Sequence, residues 1–380
     1  MHLRRLEVAD FRNHPAAAAD LPPGVSALVG PNGAGKTNLL EAIGYLATLG
    51  SHRPGQEAAL VRAGAAAAVI RAAAVQGGRV VLLELEIRPG SGVRGRVNRT
   101  AVPRSRDLLG TVRAVLFAPE DLALVRGDPE ERRRFLDTLA VQRLPRYLAV
   151  RQDYERILRQ RNTLLRSAGG RLPSGTGPAT LDVWDDKLAA AGAELWVERL
   201  RLVRLLAPRI ERAYQELAAR SDPVGVSYTS AALGDAVSDP EATAEPSALA
   251  QALRDRLASD RAREVERGVT LSGPHRDDLI LSVQNLPART HASHGEAWSL
   301  ALALRFASHR LLTAEGEEPM LLLDDVFAEL DRSRRERVAA VVAEAEQAIL
   351  TTAVAEELPS HLRASMFHVE PGSIRPAGTT

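Results

Sequence analysis

The chain has 380 residues, 45% of them hydrophobic, and 49 Lys plus Arg against 48 Asp plus Glu give a formal net charge of +1. That length allows two or three domains with a sizeable core, and the near-neutral balance gives no global pull toward nucleic acid or membrane, so such binding must come from local patches. With no cysteine, disulfides, iron–sulfur clusters and thiolate zinc sites are excluded, and no apolar run is long enough for a signal peptide or a membrane span, so a soluble cytoplasmic protein is expected.

In chain order, residues 2–11 set Leu6, Val8 and Phe11 among charged neighbours, as a half-exposed first strand would, and Arg12 and Asn13 close it. Residues 25–29 read as a short buried strand. Gly30, Pro31, Asn32, Gly33, Ala34, Gly35, Lys36 and Thr37 then fit the phosphate-loop pattern G-x-x-x-x-G-K-[ST] at every fixed position, and a helix is expected from Asn38. Its glycines let backbone N–H groups close on phosphate oxygens, Lys36 reaches the β/γ-phosphates, Thr37 offers its hydroxyl to Mg²⁺, and the helix dipole faces the same anion. Apart from Lys36, the chain uses Lys only at Lys187 and Arg everywhere else, keeping the compact ammonium where a phosphate suits it.

Past an Ala-rich stretch, residues 80–87 alternate as a strand, 90–99 resemble a hairpin turn, and 112–117 form a buried strand stopped at Pro119. From there to Arg220 the pattern is long helices, broken by a Gly/Pro/Ser linker at 167–178. Residues 129–168 carry ten Arg against five acids, which is either a solvated face or a nucleic-acid patch. A turn-rich stretch at 223–243 holds a strand at 224–229, and a helix follows at 247–267.

Strands return at 269–271 and 279–283, separated by a turn containing His275, Arg276, Asp277 and Asp278. These lack zinc-ligand spacing, and the turn reads either as a sheet edge or as a nucleotide- or DNA-proximal element. Residues 291–296 open a helix over 297–314, residues 320–323 form an apolar strand ending in Asp324 and Asp325, and a helix at 331–347 precedes a strand at 348–350. The order implies an α/β ATPase split by a mainly helical insertion: residues 1–118 and 268–380 form the ATPase domain and 119–267 the inserted arm.

The strand ending in two acids supplies what a nucleotide site needs beside a phosphate loop. Asp324 is expected to take Mg²⁺, directly or through water, beside Thr37, and Asp325 to be the base or the water-positioner. Ser293, His294, Gly295 and Glu296 lie at a helix N-terminus, where they form a capping box and a second, lysine-free phosphate-binding end.

With these residues in place, the chain resembles the RecF family of ABC-type ATPases, relatives of the SMC proteins, nearly end to end. The likeness is carried by Phe11-Arg12-Asn13, the phosphate loop through Asn38, Ser51-His52-Arg53, residues 117–122 with 132–137, residues 272–278, residues 293–296 and residues 324–331. It implies an ABC-type P-loop ATPase head, with residues 293–296 as the signature, 329–331 as the D-loop, and Pro119-Glu120 where relatives carry a Q-loop. The implied site is Lys36 and Asp325 for catalysis, Thr37 and Asp324 for Mg²⁺, and Arg12, residues 30–38, Ser293 and Gly295 for ATP. Two departures stand out. His294 and Glu296 replace the signature's usual glutamines, and no Gln lies near Pro119.

The family is implied to dimerise on ATP and hydrolyse it slowly as a DNA-stimulated switch, without nuclease activity. It is implied to bind single-stranded and double-stranded DNA, especially at gap junctions, and to act with RecR and RecO in loading RecA during repair, replication restart and SOS induction, on the nucleoid. The alternative is an ABC-type motor subunit of another assembly. A transporter motor would need a membrane partner, a nuclease relative a further acidic domain, and a metabolic kinase would lack residues 293–296 and the D-loop.

Overall fold

The computed structural model describes residues 1–53, 57–167, 178–218, 222–234 and 245–377. Residues 168–177 of the expected linker at 167–178, and residues 235–243 of the turn-rich stretch at 223–243, lie outside the described residues. The chain starts with β1 (His2–Phe11), β2 (His14–Asp20), β3 (Gly24–Val29) and α1 (Lys36–Thr48). Then come β4 (Ala68–Gln76), β5 (Arg79–Arg88), β6 (Gly92–Val97), β7 (Thr100–Ala101) and β8 (Ala114–Phe117). The helical stretch is α2 (Leu122–Arg126), α3 (Pro129–Arg143), α4 (Tyr147–Ser167) and α5 (Pro178–Ala218), followed by β9 (Val224–Thr229) and α6 (Pro246–Arg267). The chain closes with β10 (Asp278–Val283), β11 (Leu286–Pro287), α7 (Ala288–His291), α8 (His294–Ala314), β12 (Met320–Leu323), α9 (Arg332–Ala343), β13 (Gln347–Thr352), β14 (Ala364–Glu370) and β15 (Ser373–Pro376).

Two compact units result. The first comprises Met1–Val125, Arg209–Asp222 and Ser293–Thr380, the second Arg126–Pro208 and Pro223–Ala292. The first holds two six-stranded sheets: an antiparallel one in the order β2-β1-β4-β5-β6-β7 and one in the order β15-β14-β3-β13-β12-β8, parallel except for β15. α1 touches β1 of the former and β8, β12 and β13 of the latter, so it is apolar nearly all round, burying Leu39, Leu40, Ala42, Ile43, Tyr45, Leu46 and Ala47. β12 is covered on both faces, which is why Met320, Leu321, Leu322 and Leu323 are apolar without alternation.

The open face of the antiparallel sheet is a ladder of opposite charges. Across β1, β4, β5 and β6 the register sets Glu7 beside Arg71, Arg71 beside Glu84 and Glu84 beside Arg96, and Glu84 accepts from Arg71 and Arg96 at 2.6 and 2.7 Å. Such a row is self-neutralising, a solvated face.

The units change at Val125/Arg126 and Ala292/Ser293 rather than at 118/119 and 267/268. The reason is strand pairing: β10 joins β9 and β11 in a separate three-stranded sheet, so residues 278–283 belong with the helical unit. Residues 269–271 are not a strand. Their backbone is satisfied by side chains instead of a ladder: Asn162 accepts from the Thr270 N–H at 2.8 Å, Glu264 from the Leu271 N–H at 2.7 Å, and the Thr270 carbonyl accepts from Arg276 at 3.1 Å. His275 sits in the same turn, its Nδ1 2.7 Å from the Tyr154 hydroxyl, and burial pulls its pKa down to about 4. His275 and Arg276 thus close a turn.

Beneath that turn lies Arg161, fully buried, donating to Asp185 and Glu264 at 2.7 Å each and to the Thr270 hydroxyl at 2.9 Å. Removing one member of a buried ion cluster leaves the rest uncompensated. Arg161→Ala is therefore expected to lower unfolding free energy by about 3–5 kcal/mol. Urea titration followed by helix signal reads this, and a midpoint unchanged from the parent would contradict it.

Candidate active site

The phosphate loop leaves the carboxyl end of β3, and its shape is enforced sterically. Gly35 has φ 102°, and a Cβ there would stand 2.2 Å from His14 Nε2 and 2.6 Å from Asn13 Oδ1. At Gly30 a Cβ would come within 2.4 Å of the Val369 carbonyl oxygen. The ammonium of Lys36 donates to the carbonyls of Gly30 and Pro31 at 2.7 and 3.3 Å, inside the loop's own ring, and Lys36 is buried.

A brace that sequence reasoning missed holds this loop from the β1–β2 turn. The Asn13 amide donates to the Gly33 carbonyl at 3.0 Å and accepts from Asn38 at 2.7 Å. Buried His14 accepts from the Gly372 N–H at Nδ1, so its proton sits on Nε2 and is donated to the Gly35 carbonyl at 3.1 Å. Burial lowers the His14 pKa, keeping the ring neutral. Behind the loop, Glu41 on α1 accepts a two-pronged pair from Arg12 at 2.8 and 2.5 Å and a hydroxyl from Ser51 at 2.5 Å, with Arg53 at 3.7 Å. Burial raises the Glu41 pKa, but Arg12, Ser51 and Arg53 together outweigh it and hold the group below its ordinary value. Arg53 also donates to Asn38 Oδ1 at 2.8 Å. Arg12, expected at the nucleotide, is thus tied to Glu41 and to the Ala59 carbonyl.

Sheet order explains the acidic side. β13 lies between β3 and β12, so its end brings Thr351 between the phosphate loop and the two acids. Asp324 Oδ1 accepts from Thr37 at 2.8 Å and from Thr351 at 2.7 Å, and the Asp325 N–H donates back to the Thr351 hydroxyl at 2.8 Å. Asp325 sits at φ 47°, ψ 28°, a left-handed conformation that turns the chain sharply at the strand end. Asp324 is only 4% exposed. Burial lifts its carboxyl to about 6, against the two hydroxyl bonds that lower it and with Asp325 adding repulsion. A buried carboxylate beside a hydroxyl, bonded to neutral groups, is the oxygen donor set that a hard divalent cation fits. Thr351 carried no signal in the sequence beyond a polar residue ending an apolar strand.

The second expected phosphate-binding end is built as a capping box. Ser293 Oγ accepts from the Glu296 N–H at 3.3 Å, the Ser293 N–H donates to Glu296 Oε2 at 2.8 Å, and Ser293 and His294 are exposed. Asp331, in the expected D-loop, caps α9 and pairs with Arg334 at 2.6 Å, and the Arg334 guanidinium lies against Gly295, where a Cβ would be 2.8 Å away. At the Q-loop position Glu120 is exposed, while Asp121 is gripped by Arg305 of α8 at 2.5 and 3.0 Å.

The ten arginines of residues 129–168 do not form one basic face. Arg132, Arg143 and Arg161 are turned inward onto Asp278, Glu198 and the Asp185–Glu264 pair. Arg134, Arg151 and Arg156 pair along their own helices with Glu131, Glu155 and Asp153. Three of the ten arginines thus have buried side chains held by acids, and three more pair with acids on the surface of their own helices.

Residues 2–369 match the family model described as "RecF/RecN/SMC N terminal domain". The chain is 53% identical over 380 residues to the DNA replication and repair protein RecF of Streptomyces avermitilis, covering 98% of this chain and 99% of that one. It is 54% identical over 376 residues to RecF of Frankia alni, with the same coverage. Among solved structures, the recombination mediator protein RecF in the RecFOR pathway superposes with TM-scores of 0.89 with ATPrS and 0.86 with ATP, each at 25% identity and over 99% of this chain. An SMC head bound to the C-winged helix domain of ScpA, at 15% identity and TM-score 0.55, shares the fold.

The raised Asp324 carboxyl has a signed consequence. It keeps its proton in the folded chain to about pH 6, above its ordinary 3.8, so this group favours folding most at low pH and that contribution is lost as pH rises from about 4 through 6. Asp324→Asn, without nucleotide or metal, is expected to match the parent's stability near pH 4 and exceed it by about 1–3 kcal/mol near pH 8. Melting curves at the two pH values measure it, and an Asn variant less stable at pH 8 would contradict the reading.

Proposed function

The chain belongs to the RecF family of ABC-type ATPases, DNA replication and repair proteins, and from that premise we propose that it is a slow, DNA-stimulated ATPase whose ATP-bound form dimerises on DNA. The observation that carries the reading is the hydroxyl–carboxylate cluster of Thr37, Asp324 and Thr351 beside a braced phosphate loop. The loop N–H groups and the α1 dipole bind the triphosphate, and Lys36 exchanges the Gly30 and Pro31 carbonyls for β/γ-phosphate oxygens. Thr37 and Asp324 would hold Mg²⁺, which when bound neutralises charge on the transferring phosphoryl group. Asp325, fixed at the strand end by Thr351, orients the attacking water and takes its proton. Arg12 acts through Glu41, by positioning α1.

Ser293 and Gly295 in turn meet the terminal phosphate held by a second copy, so that two composite sites form only in the dimer. By analogy with the relatives named for recombination mediation, the DNA is single-stranded and gapped, and RecR is the direct partner, with RecO and RecA downstream. The settings are repair, replication restart and SOS induction, on the nucleoid and without nuclease activity.

The two halves of such a site fail differently. Asp325→Asn keeps shape and metal ligand but loses the water-positioning group, so the nucleotide-bound dimer should accumulate on gapped DNA with turnover reduced by about 100-fold or more. Ser293→Arg should bind ATP as a monomer yet neither dimerise nor hydrolyse. Mixed together, the two variants should regain turnover, because one site of the heterodimer carries neither defect. Light scattering and phosphate release read all three. Parent-rate hydrolysis by Ser293→Arg, or an Asp325→Asn chain that never dimerises, would overturn the composite site.

A further inference from the structure

The signature's departure at His294 is tied to the acidic side of the site by one aromatic side chain. His294 is exposed in the first turn of α8, and one turn later Trp298, 2% exposed, donates its indole N–H to His294 Nε2 at 3.0 Å. The rings meet edge-on, with centroids 6.3 Å apart at 72°. An indole nitrogen is a donor only, so Nε2 of the neutral imidazole must be the acceptor and the proton must sit on Nδ1. The Trp298 ring also packs on Phe117, centroids 5.4 Å apart at 51°. Phe117 ends β8, pairs with Leu323, and its carbonyl accepts the Asp324 N–H at 2.8 Å. The indole therefore touches both the first turn of the signature helix and the residue that seats the Asp324 backbone.

We propose that Trp298 is a positioning residue that fixes His294 as an Nδ1–H donor, held in register with the Asp324 strand end, for the terminal phosphoryl oxygens of the nucleoside triphosphate bound by the partner copy. The inference rests on the composite-site reading above and adds a role for the residue that stands where the family carries glutamine. An imidazole N–H replaces an amide N–H, and its direction is set by the indole rather than by solvent. Asp121, gripped by Arg305 eleven residues further along α8 from His294, ties the segment after Phe117 to the same helix.

The test compares Trp298→Phe, His294→Ala, His294→Gln and the Trp298→Phe/His294→Ala pair in the full chain. Nitrogen-15 spectra of the imidazoles are expected to show His294 protonated on Nδ1 in the parent, with that preference lost in Trp298→Phe. ATP turnover should fall by about 2- to 10-fold in Trp298→Phe and in His294→Ala, the loss of one hydrogen bond, while ATP affinity of the monomer is unchanged. The double variant should be no worse than His294→Ala, and His294→Gln, whose amide can donate, should restore turnover relative to His294→Ala. A His294 protonated on Nε2, parent turnover in Trp298→Phe, or defects that multiply would each overturn the proposal. A parent chain that turns over ATP with Trp298→Phe unaffected sinks this inference alone, whereas Ser293→Arg at the parent rate sinks the composite site beneath it.

Discussion

Everything at the nucleotide end of this fold depends on one buried carboxyl. Asp324 follows β12 and accepts hydrogen bonds from Thr37 on α1 and Thr351 on β13, so three elements converge on one oxygen. Hydroxyls satisfy a carboxylate's geometry without cancelling its charge, and burial at 4% exposure then raises its pKa. A positive charge placed between Thr37 and Asp324 would relieve an electrostatic cost already present in the folded chain.

A second constraint keeps the loop ready. The Gly35 and Gly30 backbones pass too close to His14 and Val369 for any side chain, and Asn13, His14 and Asn38 hold the loop by its own carbonyls and neighbours. Arg12, Arg53 and Ser51 converge on buried Glu41, one turn further along α1. Anion-binding N–H groups held by rigid elements need little rearrangement to meet a phosphate, which is the economy of a preorganised site. The same network explains why the segments of Phe11-Arg12-Asn13 and Ser51-His52-Arg53 lie far apart in sequence and still serve one helix.

Motif placement was legible from the sequence; partnership was not. The phosphate loop, the acids after β12 and the Ser293 cap are short patterns whose residues lie within a few positions of one another, and the elements that carry them stand where the patterns placed them. Thr351 was invisible because its role depends on β13 lying between β3 and β12, a non-local fact. The Ala-rich β4 and the small-residue β2 were missed because alanines carry little strand signal, and β1, lying between them, supplies their register. The partners of the arginine run were hidden because its buried members answer acids on α5, α6 and β10, which no local charge count can see. The unit boundary moved for the same reason: β10 chose β9 across 49 residues of sequence rather than the ATPase sheet.

The most direct test of the poised carboxyl is proton linkage on binding. Calorimetry of Mg²⁺–ATP binding at pH 6, in buffers of different ionisation heat, should reveal about half a proton released by Asp324, since its carboxyl lies near that pH. The release should vanish near pH 8 and be missing in Asp324→Asn at both pH values. Binding heats at pH 6 that do not depend on buffer, or a release undiminished in Asp324→Asn, would contradict the account.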